Sequence, residues 1–569
     1  MKNKEFILSN EHRPTVEITL PDGRIITGPR AANLEDFLRI IQKDQEPLIV
    51  GAIVDGSLRE LTYPISMDSR VIPLDMSDAD GARIYRRSLT FLLETAFSSC
   101  FPEAILTIDH SVSSGGYYCQ VSNHAPLNED ELHRIDKKMR ELIQNNEPFI
   151  REVVPIEEAV AYFTGQGEED KVKLLKYRQR KDLVLYRLGN HRDYHHGYMV
   201  PSSGYLKWYE LVLVKDAFIL RFPRRHSPND LTPMTNYPTL LNTFRQYGDW
   251  LNKLGIPSLG ALNDAIKKGH IDEVILVSEA LHNQQISKIA EEIAKRSEEI
   301  RVVLIAGPSS SGKTTFSKRL SIQLLTQGLS PFALEMDNYF VDREKTPLDE
   351  NGAKDFESIN ALNRQRLNQD VQNLISGNEV QLPYFDFKSG LSKEGESVQL
   401  KSGEIIILEG IHGLNPSLLE DLDTNKTYRI YVSCLTQLNL DRHNRISTTD
   451  TRMLRRILRD ARDRGYTAED TIRRWESVRQ GEKKHIFPYQ ENADVMFNSA
   501  LVYELTTLRP LVEPLLRQVP FGTREHVEAK RLLKFLEWFL PTGTDYIPDN
   551  SILREFIGGS ILQDFSIWH

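Results

Sequence analysis

Cysteine is scarce in this chain: only Cys100, Cys119 and Cys434 occur among 569 residues. They are scattered, odd in number and form no C-x-x-C pair, so neither a disulfide framework nor a cysteine-rich zinc site is available. That usage predicts a reducing compartment. Long hydrophobic runs are also missing. The apolar run Phe6 to Leu8 stops after three residues, and no later stretch approaches the ~18 uncharged apolar residues that span a bilayer. A cytoplasmic chain without a membrane partner is expected. Excess positive charge is absent too: 71 Lys plus Arg face 80 Asp plus Glu, for a net charge of -9 and a pI near 6.0. A protein that coats nucleic acid over its whole surface is excluded, while a local basic patch is not. There is no internal repeat and no low-complexity tract. What is present is ordinary globular composition, 40% apolar with 32 Gly, on a length that suggests three to five folded units.

The N-terminal stretch reads as α+β. Val16, Ile18 and Leu20 alternate as in a strand, Pro21-Asp22-Gly23 turns the chain into RIITG, and a helix over LEDFLRII follows. Residues 83–150 combine an amphipathic stretch (Leu89, Leu92, Leu93, Ala96, Phe97), a Gly115-Gly116 turn and the charged helix NEDELHRIDKKMRELI. After about residue 250 the pattern is helical with a charged face, which reads as a linker or docking region. From residue 301 short β-branched runs (VVLIA, PFALEM, IIIL, RIYV, DVMF) alternate with helical patterns, the sequence form of a parallel sheet with crossover helices.

Gly307-Pro308-Ser309-Ser310-Ser311-Gly312-Lys313-Thr314 fits G-x-x-x-x-G-K-[ST], between a predicted strand and the helical pattern TTFSKRLSIQLL. The string alone arises by chance in roughly 2% of chains of this length, and its flanks make coincidence rarer. Backbone N–H groups and the helix N-terminus would cradle phosphates, Lys313 would reach the β and γ phosphates, and Thr314 would ligate Mg²⁺. A purine triphosphate with Mg²⁺ is the expected ligand, held by Gly307 to Thr315. A GTP-specific reading is weaker because N-K-x-D is missing: Asn425-Lys426-Thr427-Tyr428 lacks the Asp.

Ligands in an open α/β sheet sit beyond the carboxyl ends of the strands, which singles out Asp337 after FALEM and Glu409 after EIIIL. Asp337 is placed to accept a proton from an attacking hydroxyl or to hold Mg²⁺ through water, and Glu409 takes the place of a Walker-B-like carboxylate. Farther on, Arg452, Arg455, Arg456 and Arg459 recur at i, i+3, i+4, i+7, opposite Met453, Leu454, Ile457, Leu458 and Ala461. Like charges at that spacing repel, so the stripe is expected to close over polyphosphate, although a solvated face or an RNA patch remains an alternative. Arg464 and Gly465 would end this helix.

Over roughly residues 300–505 these features resemble the uridine kinase and phosphoribulokinase family of P-loop kinases. The likeness rests on GPSSSGKTT, MDNYF, LPYFDF (Leu382 to Phe387), LEGIHGLN (Leu408 to Asn415) and TRMLRRILRDARDRG (Thr451 to Gly465). It implies a parallel sheet flanked by helices with a mobile lid, and ATP and Mg²⁺ as cofactors. Asp337 would be the base toward a nucleoside 5′-hydroxyl, Thr314, Glu409 and Asp337 the metal site, and Arg455, Arg459 and Arg464 the holders of phosphate and substrate. Asp337, Phe340, Phe385, Phe387 and Arg452 would line the acceptor. The acceptor side departs from the uridine–cytidine pattern: Gly390 aligns with a pyrimidine-facing histidine, Phe340 with a tyrosine, and Asn360 with a ribose-binding aspartate. Unmet polar groups change which acceptor is taken.

The front of the chain resembles threonyl-tRNA synthetase. Residues 16–77 look like its ubiquitin-like β-grasp TGS domain, and about 80–250, through IYRRSLTFLLETAF and SGGYYCQV, like its editing domain. The four editing-centre positions align here with Arg87, Phe91, His195 and Met199, so one potential ligand of four survives and hydrolytic editing is expected to be absent. His191, His195 and His196 are expected to be surface or hydrogen-bonded rather than metal-binding.

The sequence thus predicts an α/β chain. A TGS-like domain would span 1–77, an editing-like α+β domain 78–250, a helical linker 251–300, a P-loop kinase domain 301–510 and a C-terminal helical tail 511–569. The expected activity is ATP-dependent transfer to the 5′-hydroxyl of a nucleoside, pyrimidine by resemblance. The alternatives are a phosphoribulokinase-like sugar-phosphate kinase and an RNA-associated regulatory ATPase. RNA binding by the N-terminal half and homo-oligomerisation are left open.

Overall fold

The computed structural model describes residues 13–235, 237–348, 352, 354–386 and 388–565. Phe387 and the Phe6–Leu8 run lie outside the described residues. The chain divides into two compact units, one of Met1–Asn236, Asn439–Arg445 and Pro520–Arg531, the other of Tyr237–Leu438, Ile446–Val519 and Leu532–His569.

In the first unit, Thr15–Thr19 and Ile25–Pro29 form the expected antiparallel pair, with Gly23 in the left-handed conformation at the turn. Strands Ile49–Val54, Ser57–Arg59 and Ser69–Asp75 complete a five-stranded sheet in which Thr15–Thr19 runs parallel to Ser69–Asp75. Val16, Ile18, Leu34, Phe37 and Val71 fill its core. The periodic apolar stretch of 83–150 becomes helix Ala79–Cys100, whose Leu89, Leu92, Leu93, Ala96 and Phe97 are all buried. Helix Glu129–Gln144 opens with a capping box between Asn128 and Glu131, which satisfies two otherwise orphaned amides. Residues Ile105–Val112, Gly116–Ser122, Glu210–Val214 and Ala217–Arg221 form a four-stranded antiparallel sheet, and Ile150–Pro155, Asp182–Leu188 and His191–Asp193 a three-stranded one.

The second unit is built on the five β-branched runs seen in the sequence. They form an all-parallel sheet in the order Ser330–Glu335, Glu404–Glu409, Val302–Ala306, Thr427–Ser433, Val495–Asn498. Every residue of Val302–Ala306 is buried, because both faces of a parallel sheet are covered by crossover helices. Each such Val, Leu or Ile contributes roughly 1.5–3 kcal/mol of burial. The strands on either side of Val302–Ala306 belong to opposite windings, so a crevice opens at its carboxyl end.

Residues 251–300, expected to be a linker, are part of this unit. Helices Pro238–Lys253, Leu259–Lys267 and Ile271–Lys295 are packed, the last through buried Val274, Ile275, Ile286, Ile289 and Ile293. Most of the charged residues that suggested a linker lie on outward faces, whereas Glu279 is buried and accepts from the Tyr503 hydroxyl at 2.8 Å. The expected tail is also divided: Pro520–Arg531 lies in the first unit and the rest in the second. Among the described residues, no helix is long and apolar enough to cross a membrane.

Candidate active site

At the carboxyl end of Val302–Ala306 the chain turns through 307–312 into helix Lys313–Thr326. Two glycines are required there. A side chain at Gly307 would collide with the Val432 carbonyl, and Gly312 caps the helix at φ +84°, where only glycine is unstrained. Ser310 holds φ +57° without being glycine, a strained conformation of the kind that surrounding contacts must enforce.

Those contacts come largely from the arginine helix Thr448–Arg464. Arg452 Nε donates to the Ser309 carbonyl at 2.9 Å, Arg455 Nη1 to that of Ser310 at 3.5 Å, and Ser499 Oγ to that of Ser311 at 2.5 Å. Three successive loop carbonyls are therefore tied down from one side. Arg456 Nη1 adds a bond to Ser309 Oγ at 2.7 Å.

The sequence expects Arg452 and Arg455 to hold substrate and phosphate; in the structure both guanidinium groups are fully buried and bonded to protein groups. Arg452 pairs with buried Glu482. Arg455 Nε donates to Glu504 at 2.7 Å, and its Nη2, which pairs with the same carboxylate at 2.6 Å, donates to the Ser499 carbonyl at 2.9 Å. The like charges of the stripe are compensated by these carboxylates and by Asp460, which receives Arg456 at 3.1 Å and Arg464 at 3.2 Å. Arg464 is half exposed at the helix end. Arg459 stands 3.8 Å from both Asp460 and Glu555; its buried Nε makes no hydrogen bond among the described residues.

Thr314 Oγ1 donates to Glu409 Oε1 at 3.2 Å, joining the loop's hydroxyl to the carboxylate at the end of the neighbouring strand. Lys313 Nζ lies 3.3 Å from the Pro308 carbonyl. Burial pushes the Glu409 carboxyl up to about 7, against the pull of Lys313 and with the push of Glu555. Burial lowers Lys313, while Glu409 and Glu555 hold it up. Asp337, in the turn Met336–Tyr339 after strand Ser330–Glu335, is reached by solvent yet enclosed enough for burial to raise it, with Lys313 opposing. Thr314 and Glu409 offer the hard oxygen donors that Mg²⁺ prefers. The buried Ser310 and Ser311 hydroxyl oxygens, which have no hydrogen-bond partner among the described residues, fit a loop built to meet a polar ligand.

On the acceptor side, Phe340 and Phe385 stack obliquely with ring centres 5.7 Å apart, and Asn338 Oδ1 accepts from the Phe385 amide at 3.4 Å. Phe385 belongs to the hairpin Val380–Asp386 and Leu391–Val398. Gly390, at φ +72°, is covered by the Arg343 side chain, so any side chain there would collide.

The first unit carries its own buried cluster. Glu94 Oε2 lies 3.2 Å from His195 Nε2, 3.6 Å from His191 Nε2 and 3.7 Å from His443 Nδ1. Asp193 Oδ2 meets His443 Nδ1 at 2.7 Å and also the Lys171 ammonium. Burial opposes ionisation of Glu94, but His443 and His195 bring it down to about 2. Glu94, His191 and Asp193 are close enough to share a cation, and Lys171 already supplies one. Of the positions expected to match an editing centre, Arg87 donates to the Tyr198 carbonyl, Phe91 packs edge-on against His191 and Met199 is buried.

Sequence reasoning missed Glu482, Glu504, Ser499 and Glu555. Glu482, Ser499 and Glu555 act directly on the loop or its helix from far along the chain, Glu504 acts through Arg455, and none sits in a local pattern that would announce it.

Residues 302–505 match the Phosphoribulokinase / Uridine kinase family. The N-terminal part is similar to threonine–tRNA ligases. That of Polaromonas naphthalenivorans is 35% identical over 206 residues, 36% of this chain and 32% of the relative, and that of Polynucleobacter asymbioticus 34% over 202 residues, 35% and 31%. The chain thus spans about a third of the length of these curated relatives. Among solved structures, a possible uridine kinase from Bacillus stearothermophilus aligns at 18% identity over 36% of this chain and 100% of its own, with a TM-score of 0.25. D-glycerate 3-kinase from Cryptococcus neoformans aligns at 16% over 37% and 89%, also with a TM-score of 0.25. Residues 302–505 are a P-loop kinase domain of the Phosphoribulokinase / Uridine kinase family, carried on a chain whose N-terminal part is similar to a portion of threonine–tRNA ligases.

Proposed function

We propose that the chain is an ATP-dependent kinase that phosphorylates the 5′-hydroxyl of a nucleoside. The observation that carries this reading is the contact between Thr314 and Glu409 beside Lys313, with Asp337 on the neighbouring strand end. Thr314 and Glu409 would hold Mg²⁺, which neutralises charge on the phosphates when bound. Lys313, Arg459 and Arg464 would steady the transferring phosphoryl group, while Asp337 takes the proton from the acceptor hydroxyl as its oxygen attacks phosphorus. Arg452, Arg455 and Arg456 act one step back, keeping the loop in its strained shape. Phe340 and Phe385 would offer an aromatic surface to a base.

A sugar-phosphate acceptor is the second reading, and Arg343 favours it: the room left by Gly390 is filled by a guanidinium, the group suited to an anionic acceptor. The deciding assay measures ATP consumption with Mg²⁺ against uridine, cytidine, thymidine, purine nucleosides and ribulose 5-phosphate, with product masses checked. A nucleoside 5′-monophosphate supports the first reading and a sugar bisphosphate the second. Silence with every small acceptor, with turnover stimulated by tRNA, overturns both.

A further inference from the structure

The short C-terminal helix Arg554–Ile557 ends against the start of the P-loop helix. Glu555 Oε2 accepts from the Thr315 backbone N–H at 3.3 Å and from Thr315 Oγ1 at 2.9 Å. Its other oxygen lies 3.8 Å from Arg459 Nη1, and the side chain is only 16% exposed. Thr315 is the third residue after the cap Gly312, so its amide is one of the four donors that a helix leaves unpaired at its N-terminus. In a phosphate-binding loop those donors, together with the positive end of the helix dipole, receive the anion. Here a carboxylate of the same chain already holds one of them.

The seat is built rather than grazed. Ile552, fully buried, packs over Gly312 where a side chain would collide with it. The Phe556 ring lies 4.9 Å under the Arg455 guanidinium, Arg462 Nη2 donates to the Glu555 carbonyl at 2.8 Å, and Lys318 Nζ donates to the Leu562 and Gln563 carbonyls at 2.7 and 2.9 Å. These residues touch both the P-loop helix and the arginine helix, so the same contacts that hold the segment also aim its carboxylate. The Glu555 charge is felt at Lys313, Glu409 and Arg459, the groups assigned above to phosphate and metal.

Resting on the kinase reading of this loop, we propose that Glu555 is an internal competitor of the nucleotide. Its carboxylate takes the Thr315 donors in place of a phosphate oxygen, and nucleotide entry requires that it swing away. Two anions cannot share one amide and one hydroxyl, and each repels the other across the helix terminus. Nucleotide affinity is thereby set by how firmly the C-terminal segment is held, which places control of the active site in residues 549–563.

The test uses the full chain. Mg·ATP binding is measured by calorimetry for the parent, Glu555→Gln, Glu555→Ala and Lys313→Ala, with melting curves confirming folding. Glu555→Gln keeps the shape and loses the charge, so its Kd should fall about tenfold, equivalent to about 1.4 kcal/mol, and Glu555→Ala should fall likewise. Hydrogen exchange at 549–563 in the parent should rise when Mg·ATP is added. If the parent binds Mg·ATP, Lys313→Ala does not, and both Glu555 variants bind no tighter than the parent, the competitor proposal is overturned while the kinase reading stands. If no form binds Mg·ATP, the kinase reading itself falls and the proposal with it. Unchanged or increased protection of 549–563 on nucleotide addition also overturns it.

Discussion

Replacing Arg455 by Met would test whether the arginine helix braces the loop or touches phosphate. The Arg455 guanidinium is fully buried, forms an ion pair and a hydrogen bond with Glu504, and donates one bond each to the Ser499 and Ser310 carbonyls. Removing it leaves the Glu504 carboxylate uncompensated in a site where burial already raises its pKa. Breaking one side of a buried pair costs about 3–5 kcal/mol, whereas replacing both partners with apolar groups of similar size is often near neutral. Arg455→Met should therefore cost about 3–5 kcal/mol, and the double variant Arg455→Met with Glu504→Leu should recover at least about 2 kcal/mol of that loss. Calorimetric unfolding reads this, with the transition of the kinase unit followed separately because two units need not melt together. In parallel, nucleotide affinity should fall in Arg455→Met and in Glu504→Gln alike, since either change slackens the Ser310 carbonyl. If Arg455→Met costs less than about 1 kcal/mol, or if Glu504→Gln leaves affinity intact while Arg455→Met abolishes it, the bracing role is wrong and Arg455 meets phosphate directly.

Lys313→Ala should abolish both ATP turnover and Mg·ATP binding, which a coupled assay and calorimetry would check; retained binding would contradict the phosphate role. Asp337→Asn should lower kcat by at least about 10²-fold, within the usual range for a general base, while leaving the Kd for Mg·ATP within a factor of two; normal transfer would remove Asp337 as the base. The kinase unit should lose stability on acidification. Burial, with Arg319 adding to it, depresses His282 to about 3 from 6.5, so its contribution is intact above pH 6.5 and declines as pH falls, by about 2 kcal/mol between pH 6.5 and 5. Melting curves of His282→Gln should show a shallower decline over that interval; an identical slope in the variant would rule His282 out as the source.

The parts of the fold that were legible in the sequence share a physical cause. The inner strands Val302–Ala306 and Glu404–Glu409 are buried on both faces, so VVLIA and IIIL appear as unbroken apolar runs, while the edge strand Ser330–Glu335 is only partly covered; the carboxyl ends of these strands mark where Glu409 and Asp337 fall. The loop is written in consecutive residues because consecutive amides cradle one anion. What could not be read depends on distance along the chain. Glu482 is 173 residues from the Ser309 amide it accepts from, and Glu555 is 240 from Thr315; a single buried carboxylate leaves no periodicity. The helices of 251–300 were mistaken for a linker because their charged faces were conspicuous, although Ile286, Ile289 and Ile293 already traced the buried side. The arginine stripe was legible as a shared face, but its carboxylate partners were not, since spacing reveals that guanidinium groups share a face and not which carboxylates lie opposite.

The strand order also dictates when the loop can exist. Val302–Ala306 lies at the middle of its sheet, yet its neighbours Glu404–Glu409 and Thr427–Ser433 are synthesised about a hundred residues later, and Gly307 rests on the carbonyl of Val432. A nascent chain that has just delivered GPSSSGKT has the motif without the means to shape it. Closing such distant pairings is slow, and until it happens the most apolar strand of the unit stands uncovered on both edges. Synthesis arrested between the motif and residue 433 would therefore yield a species prone to aggregate and unable to retain a nucleotide, while release after residue 433 would supply both flanking strands together.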